Sequence, residues 1–418
     1  MPDQVPPDAG AGTLFGRYVL LLLSDVACRG LRFAADIVLV RHFPPEVIGQ
    51  LNLSQSLAVQ GIAIGSSGLD TAGTRAIAAG TVAPFTMAVT VVALRLFLGM
   101  VAWGAVAGLA VIVPGYHGVF QLTVLYGLSI GTGAMTLGWV AQARQQMHVV
   151  ALAALATHLG YFGGVELTAL AGWPPAAVPL LLAASEGLTA VALWLWLIGT
   201  CGPKSRGLPW SAALRFLRDA LPIGGANYLR TLTIGSDVLL LGLFVADAEV
   251  GLYGTGFKLY SLGLAVITLY LSVLLPQFSA HWVRERRGFV TATSTAFKNS
   301  LLAAALLTPV ALLLAGKILQ LLFGPPFSAA TQAVQILFLA LPVHLIAGHF
   351  RTSLVAMGRQ RQDLGLVVIA TLVHVAAKLC LIPWLGMNGA AWGTLSGEAV
   401  LMMLAWRAMR TSNRGSAR

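Results

Sequence analysis

Four charged residues stand inside the first apolar stretch of the chain, YVLLLLSDVACRGLRFAADIVLV: Asp25, Arg29, Arg32 and Asp36. Their spacing of i, i+4, i+7 and i+11 places the side chains on a helix at about 0°, 40°, −20° and 20°, one stripe about 60° wide. A charge at the centre of a bilayer costs roughly 2.5–3.5 kcal/mol on insertion scales. The stripe therefore faces other helices or a water-filled cavity. Two roles fit it. Asp25 can neutralise Arg29, and Asp36 can neutralise Arg32, so that the stripe merely holds a bundle together. Alternatively it is one wall of a polar translocation path.

Further charges fall within apolar segments. The cations are Arg95, Arg230, Lys258, Arg351 and Lys378, and the acids are Glu166, Glu186, Asp237 and Glu398. Arg230 and Lys258 lie on the two helices that open the second half, as Arg29 and Arg32 open the first. If both opening helices face one cavity, these four cations form a patch suited to a phosphate or diphosphate, because guanidinium forks match phosphate oxygens. Lys258, near a helix start, can instead snorkel to the membrane surface. Arg95 has no acid on its own face, so it lines the cavity or reaches a carboxylate from elsewhere. Arg351 stands seven residues after His344, and Lys378 four after His374; these pairs suit a path for sugar hydroxyls or protons, or simple hydrogen bonding between helices. Glu166, Glu186 and Glu398 are candidates for ion coupling, with bonding to a neighbouring helix as the alternative. Asp25, Asp36 and Asp237 are charge-pair candidates.

No nucleophile triad, metal-ligand cluster or phosphate-cradling GxxxxGK[ST] loop occurs, so the chain carries no motif for hydrolysing ATP, and no cofactor or metal is expected. Cys28, Cys201 and Cys380 are far apart, with no disulfide or metal spacing. A chain with 57% hydrophobic and 10% charged residues and a mean hydropathy of +0.81 is an integral membrane protein. Twelve apolar segments can be drawn, near 17–40, 47–70, 86–112, 120–141, 149–171, 178–200, 221–244, 251–278, 297–321, 331–356, 365–384 and 390–408. The Pro-rich start lacks the basic n-region of a signal peptide, so the first segment reads as a retained helix. Alternate connections are basic, among them those with Arg75, Arg144, Lys204, Arg215, Arg284 and Arg359; the others hold Arg41 and little else basic, with Asp247 and Glu249 in one of them. The net charge of +11 is thus a topology signal rather than a nucleic-acid footprint, and it places both termini in the cytoplasm. Connections on the opposite side are all short, which disfavours a membrane-embedded sugar polymerase or transferase.

The second half echoes the first. Arg29 and Asp36 are seven residues apart, as are Arg230 and Asp237; Gly49 follows Asp36 by 13 residues, and Gly251 follows Asp237 by 14. Val140-Ala-Gln-Ala-Arg144-Gln matches Val355-Ala-Met-Gly-Arg359-Gln, and Glu186 and Glu398 stand at comparable places after GWPPAA and GMNGAA. The repeat predicts an N-lobe over 17–200 and a C-lobe over 221–408, joined by a cytoplasmic linker at 201–220 and flanked by tails at 1–16 and 409–418. Six helices per repeat put both lobes in parallel about an axis along the membrane normal, an arrangement that permits alternating access.

The stretches RGLRFAADIVLVRHFPPEVIGQLNLSQSLA and GIAIGSSGLDTAGTRAIA resemble the start of bacterial polysaccharide-biosynthesis flippases, the Wzx type. These belong to the superfamily that also holds multidrug and toxin extrusion transporters and lipid II flippases. YLRTLTIGSDVLLLGLFVADAEVGLYGTGFKLYSLGLAV, FGPPFSAATQAVQIL and LIPWLGMNGAAWGTLSGE resemble later stretches of the same family. The resemblance implies an all-α fold of about twelve transmembrane helices in two lobes around a central cavity. It also implies a cargo, an oligosaccharide on undecaprenyl diphosphate, turned from the cytoplasmic to the outer leaflet of the bacterial inner membrane. Arg29, Arg32, Arg230 and Lys258, with Arg95 and Arg351, are then the positions for meeting the diphosphate. The expected partners are the lipid-linked oligosaccharide, the bilayer, H+ or Na+ as coupling ion, and polysaccharide polymerase or export machinery. The acids among the cations depart from a purely cationic cavity. The other reading is a multidrug or cation exporter of the same superfamily, which calls for a predominantly acidic cavity.

Overall fold

A computed structural model describes residues 11–202 and 207–415. Lys204, Arg206 and Arg418, and the side chains of Arg17, Arg230, Arg286 and Arg414, lie outside the described residues. The chain forms α1 (Ala11–His42), α2 (Pro45–Ser66), α3 (Leu69–Ala78), α4 (Pro84–Ile112), α5 (Phe120–Tyr126), α6 (Leu128–Ala134) and α7 (Gly138–Ala143). It continues through α8 (Met147–Ala171), α9 (Ala177–Cys201), α10 (Trp210–Phe244), α11 (Asp247–Arg284), α12 (Arg286–Phe323), α13 (Thr331–Ala356) and α14 (Gln360–Gly415). No strand occurs among the described residues.

In a bilayer every backbone polar group must be satisfied within the protein, and a helix does this by itself. Each apolar segment accordingly lies on helix, but several are broken or merged. The second segment breaks where Ser67 and Gly68 take φ of 42° and 73°, separating α2 from α3. The fourth is assembled from α5, α6 and α7. The eleventh and twelfth are joined as α14, kinked at Gly386, whose φ of 55° and ψ of −132° are non-helical. Asp247 and Glu249, expected in a connection, instead form the acidic first turn of α11, where negative charge complements the helix dipole.

Among the described residues, eight helical stretches are long and apolar enough to cross a membrane. Gly235–Phe244 of α10 is a shorter apolar piece. Outward-facing positions are apolar: Leu170, Leu188, Val266, Leu307 and Leu313 are at least 68% exposed. Surfaces of this kind are covered by lipid rather than water.

The chain divides into two compact units. One comprises Met1–Phe43 and Leu53–Leu232, the other Pro44–Asn52 and Thr233–Arg418. In the first, α1 packs on α8 and α8 on α9, while Leu69, Leu94, Leu137, Trp139 and Leu197 centre a buried core. In the second, α13 packs against α11, α12 and α14, with Phe278 and Phe289 in an edge-to-face pair beneath them.

Candidate functional site

The charge stripe of α1 is largely uncovered. Asp25, Arg29 and Arg32 are exposed and Asp36 is half-buried. Arg29 Nε donates to Asp25 Oδ2 at 2.8 Å, and both side chains are 57% exposed. A pair so open neutralises charge locally without being sealed inside the bundle. At membrane depth an uncovered guanidinium calls for water or a polar cargo beside it.

Arg95 behaves differently. It is buried on α4 and reaches Asp70 of α3, with Nη1 3.1 Å from Oδ1. Its Nη2 donates to the Gly133 carbonyl at 2.7 Å and Nη1 to that of Thr136 at 3.5 Å. The acid that was missing from its own face comes from the short helix after the Ser67–Gly68 break, and the carbonyls come from the open end of α6. On α9, Glu186 accepts from Thr132 at 2.8 Å, an interhelical bond from the same segment. Glu166 is half-buried on α8.

In the second unit Arg351 and Glu398 both have partners within the unit. Arg351 grips Asp363 with both arms, Nε to Oδ1 at 2.7 Å and Nη2 to Oδ2 at 3.1 Å, tying α13 to the first turn of α14. His344 Nδ1 lies 3.0 Å from Glu398 Oε2. Lys258 is half-buried on α11 with an interaction partner. Arg230 is on α10, its side chain outside the described residues.

The deepest cluster gathers around Lys378, which is 0% exposed. Its ammonium donates to Asp237, to His374 and, at 3.2 Å, to Ser236 Oγ. The other carboxylate oxygen of Asp237 accepts from Tyr253 and, at 2.9 Å, from Thr394 Oγ1. Asp237, matched in sequence with Asp36 of the charge stripe, is therefore held by a lysine 141 residues further on. The i,i+4 spacing of His374 and Lys378 is legible in the sequence. Its counterpart is the i,i+4 pair Gly393 and Gly397 on the facing half of α14. A Cβ at 393 would overlap Lys378 Cγ, and one at 397 would lie 2.6 Å from His374 Nδ1. Two glycines opposite two long polar side chains were the signal that could have found this cluster.

A family model described as polysaccharide biosynthesis protein matches residues 17–282. No curated protein sequence matches the chain. Solved structures share its fold. An inward-facing multidrug resistance MATE family transporter of the MOP superfamily aligns over 92% of this chain and 94% of its own, with a TM-score of 0.73 at 14% identity. The lipid II flippase MurJ, in an inward closed conformation, aligns over 94% and 87%, with a TM-score of 0.70 at 12% identity. A MOP superfamily transporter from Pyrococcus furiosus aligns over 96% and 95%, with a TM-score of 0.60 at 14% identity. The fold is all-helical and MATE-like, and the chain is a multi-pass membrane protein.

Proposed function

The chain belongs to the polysaccharide biosynthesis protein family, and on that premise we propose that it is a flippase for undecaprenyl-diphosphate-linked oligosaccharide. The cargo moves from the cytoplasmic to the outer leaflet of the bacterial inner membrane, for cell-surface polysaccharide synthesis. The observation that carries this reading is the uncovered stripe on α1. Arg29 and Arg32 present guanidinium groups at membrane depth, where a diphosphate can serve both and displace Asp25 from Arg29. Arg95 and Arg351 are occupied by Asp70 and Asp363. The headgroup positions proposed in the first unit are therefore Arg29, Arg32 and Arg230.

The mechanism is alternating access. The diphosphate and sugars enter a polar path while the polyprenyl tail stays in lipid; the cations offset the cost of dehydrating the headgroup. The chain crosses the membrane twelve times, in lobes at 17–200 and 221–408, with both termini cytoplasmic. An H+ or Na+ gradient, or consumption of the product by a polymerase outside, supplies direction.

Depletion tests the assignment. Cells lacking the protein accumulate lipid-linked sugar on the cytoplasmic leaflet. Normal surface polysaccharide together with lost drug tolerance would instead establish export of small cationic compounds, the other activity its superfamily supports.

A further inference from the structure

The cluster around Lys378 is a cradle for a single positive charge. Asp237 supplies one negative charge, Ser236 Oγ a neutral oxygen, and His374 a ring nitrogen, all directed at one point. Ser236 gives its own proton to the Thr233 carbonyl at 3.1 Å, which leaves its lone pairs for the cation. Tyr253 and Thr394 hold the far oxygen of Asp237, so the carboxylate cannot swing away. At the focus stands the ammonium of Lys378. His374 Nε2 faces it from one turn earlier on the same helix.

We infer that Lys378 is a built-in cation: its ammonium occupies a monovalent-cation site formed by Asp237, Ser236 and His374, and the second unit needs no external ion there. Two features distinguish this from an incidental ion pair. An ammonium has three N–H donors, and here all three are used. The fold also makes room for the lysine stem, since Gly393 offers no side chain where it passes and Gly397 none beside His374. The surrounding segments, α10, α11 and the two halves of α14, are thus joined around a charge that cannot dissociate. Other charged groups nearby do not compete for Asp237: Glu398 faces His344, and Arg351 is bound to Asp363. The inference stands apart from the identity of the cargo.

The test is thermal unfolding of the full-length protein in detergent, with no cargo present, so its outcome is separable from that of the flippase reading. Sodium, potassium, choline and n-propylammonium chlorides are compared at one ionic strength. The wild type should show the same Tm in all four. Lys378→Ala, which removes propylammonium in effect, should lose about 5 °C or more in choline. Sodium, potassium or propylammonium should restore it, with the gain rising with concentration. The neutral double variant Lys378→Met/Asp237→Asn should fold and respond to none of them. It remains informative if Lys378→Ala cannot be isolated. A wild-type Tm raised by sodium over choline and made indifferent by Asp237→Asn would overturn the inference. So would a Lys378→Ala protein that no cation stabilises, or a double variant that fails to fold.

Discussion

Gly49 and Gly251 pack backbone against backbone. A Cβ on Gly49 would overlap the Asp247 carbonyl and one on Gly251 that of Pro45, while Gly251 N lies 3.0 Å from the place of the first. The start of α2 therefore crosses the start of α11 so closely that neither glycine position has room for a Cβ. Gln50 Nε2 fastens the same crossing by donating to Asp247 Oδ2 at 3.0 Å. These glycines follow Asp36 and Asp237 at nearly equal distances in sequence. What reads as a spacing coincidence is one contact with a glycine on each side. Gly49→Ala and Gly251→Ala should each cost about 2–3 kcal/mol or more, because the obstruction is backbone and cannot rotate aside. A lowered Tm or a loss of folded protein in detergent checks this. Unchanged unfolding would mean that the helices are free to separate.

Arg95 and Asp70 should respond unequally to truncation. Arg95 is sealed in and serves two carbonyls besides the acid, whereas the Asp70 side chain is 38% exposed. Arg95→Ala leaves the carboxylate and those carbonyls without their donor, and should cost about 2–4 kcal/mol. Asp70→Asn keeps an oxygen facing the guanidinium on a side chain that is partly exposed, so about 1 kcal/mol is expected. Chemical denaturation in detergent separates the two. Equal losses would count against the asymmetry.

Glu249 holds the kink of α14. Its Oε1 accepts from Met387 N at 2.6 Å, just after the left-handed turn at Gly386. Glu249→Ala should cost about 1–3 kcal/mol by orphaning that N–H, and Glu249→Gln should recover most of it through its amide oxygen. Gly386→Ala should be worse than Glu249→Gln, since its Cβ would collide with the Glu249 carboxylate at a φ that favours glycine. The ranking of the three Tm values is the measurement.

Arg29 should matter for transport and hardly at all for stability. Its ion pair with Asp25 is open to solvent on both sides, and exposed pairs contribute about 0–1 kcal/mol. Arg29→Ala and Arg230→Ala should abolish complementation of a depletion strain at normal expression. For Arg29→Ala the Tm should stay near that of the wild type. Full complementation by both variants would remove these positions from the mechanism.

Much is legible in the chain itself. Apolar runs of bilayer length dictate helices, because no other local structure satisfies the backbone in lipid, and they lie where hydropathy puts them. The charge stripe on α1 follows from its spacing alone, since helical periodicity decides which side chains share a face. Pairing across helices is another matter. Arg95 had no acid on its own face, and its partner came from a helix created by the break at Ser67 and Gly68. Arg351 turned to Asp363, and Asp237 to Lys378, 141 residues away. Local periodicity carries no information about which helix faces which. That is decided by close packing, and here by glycines such as Gly49, Gly251 and Gly393, whose missing side chains set which helices can approach. The sequence determined that this is a charged, multi-helix membrane protein and which charges lie at depth. Only the tertiary structure decided which of those charges are sealed into partners and which, like Arg29 and Arg32, remain open.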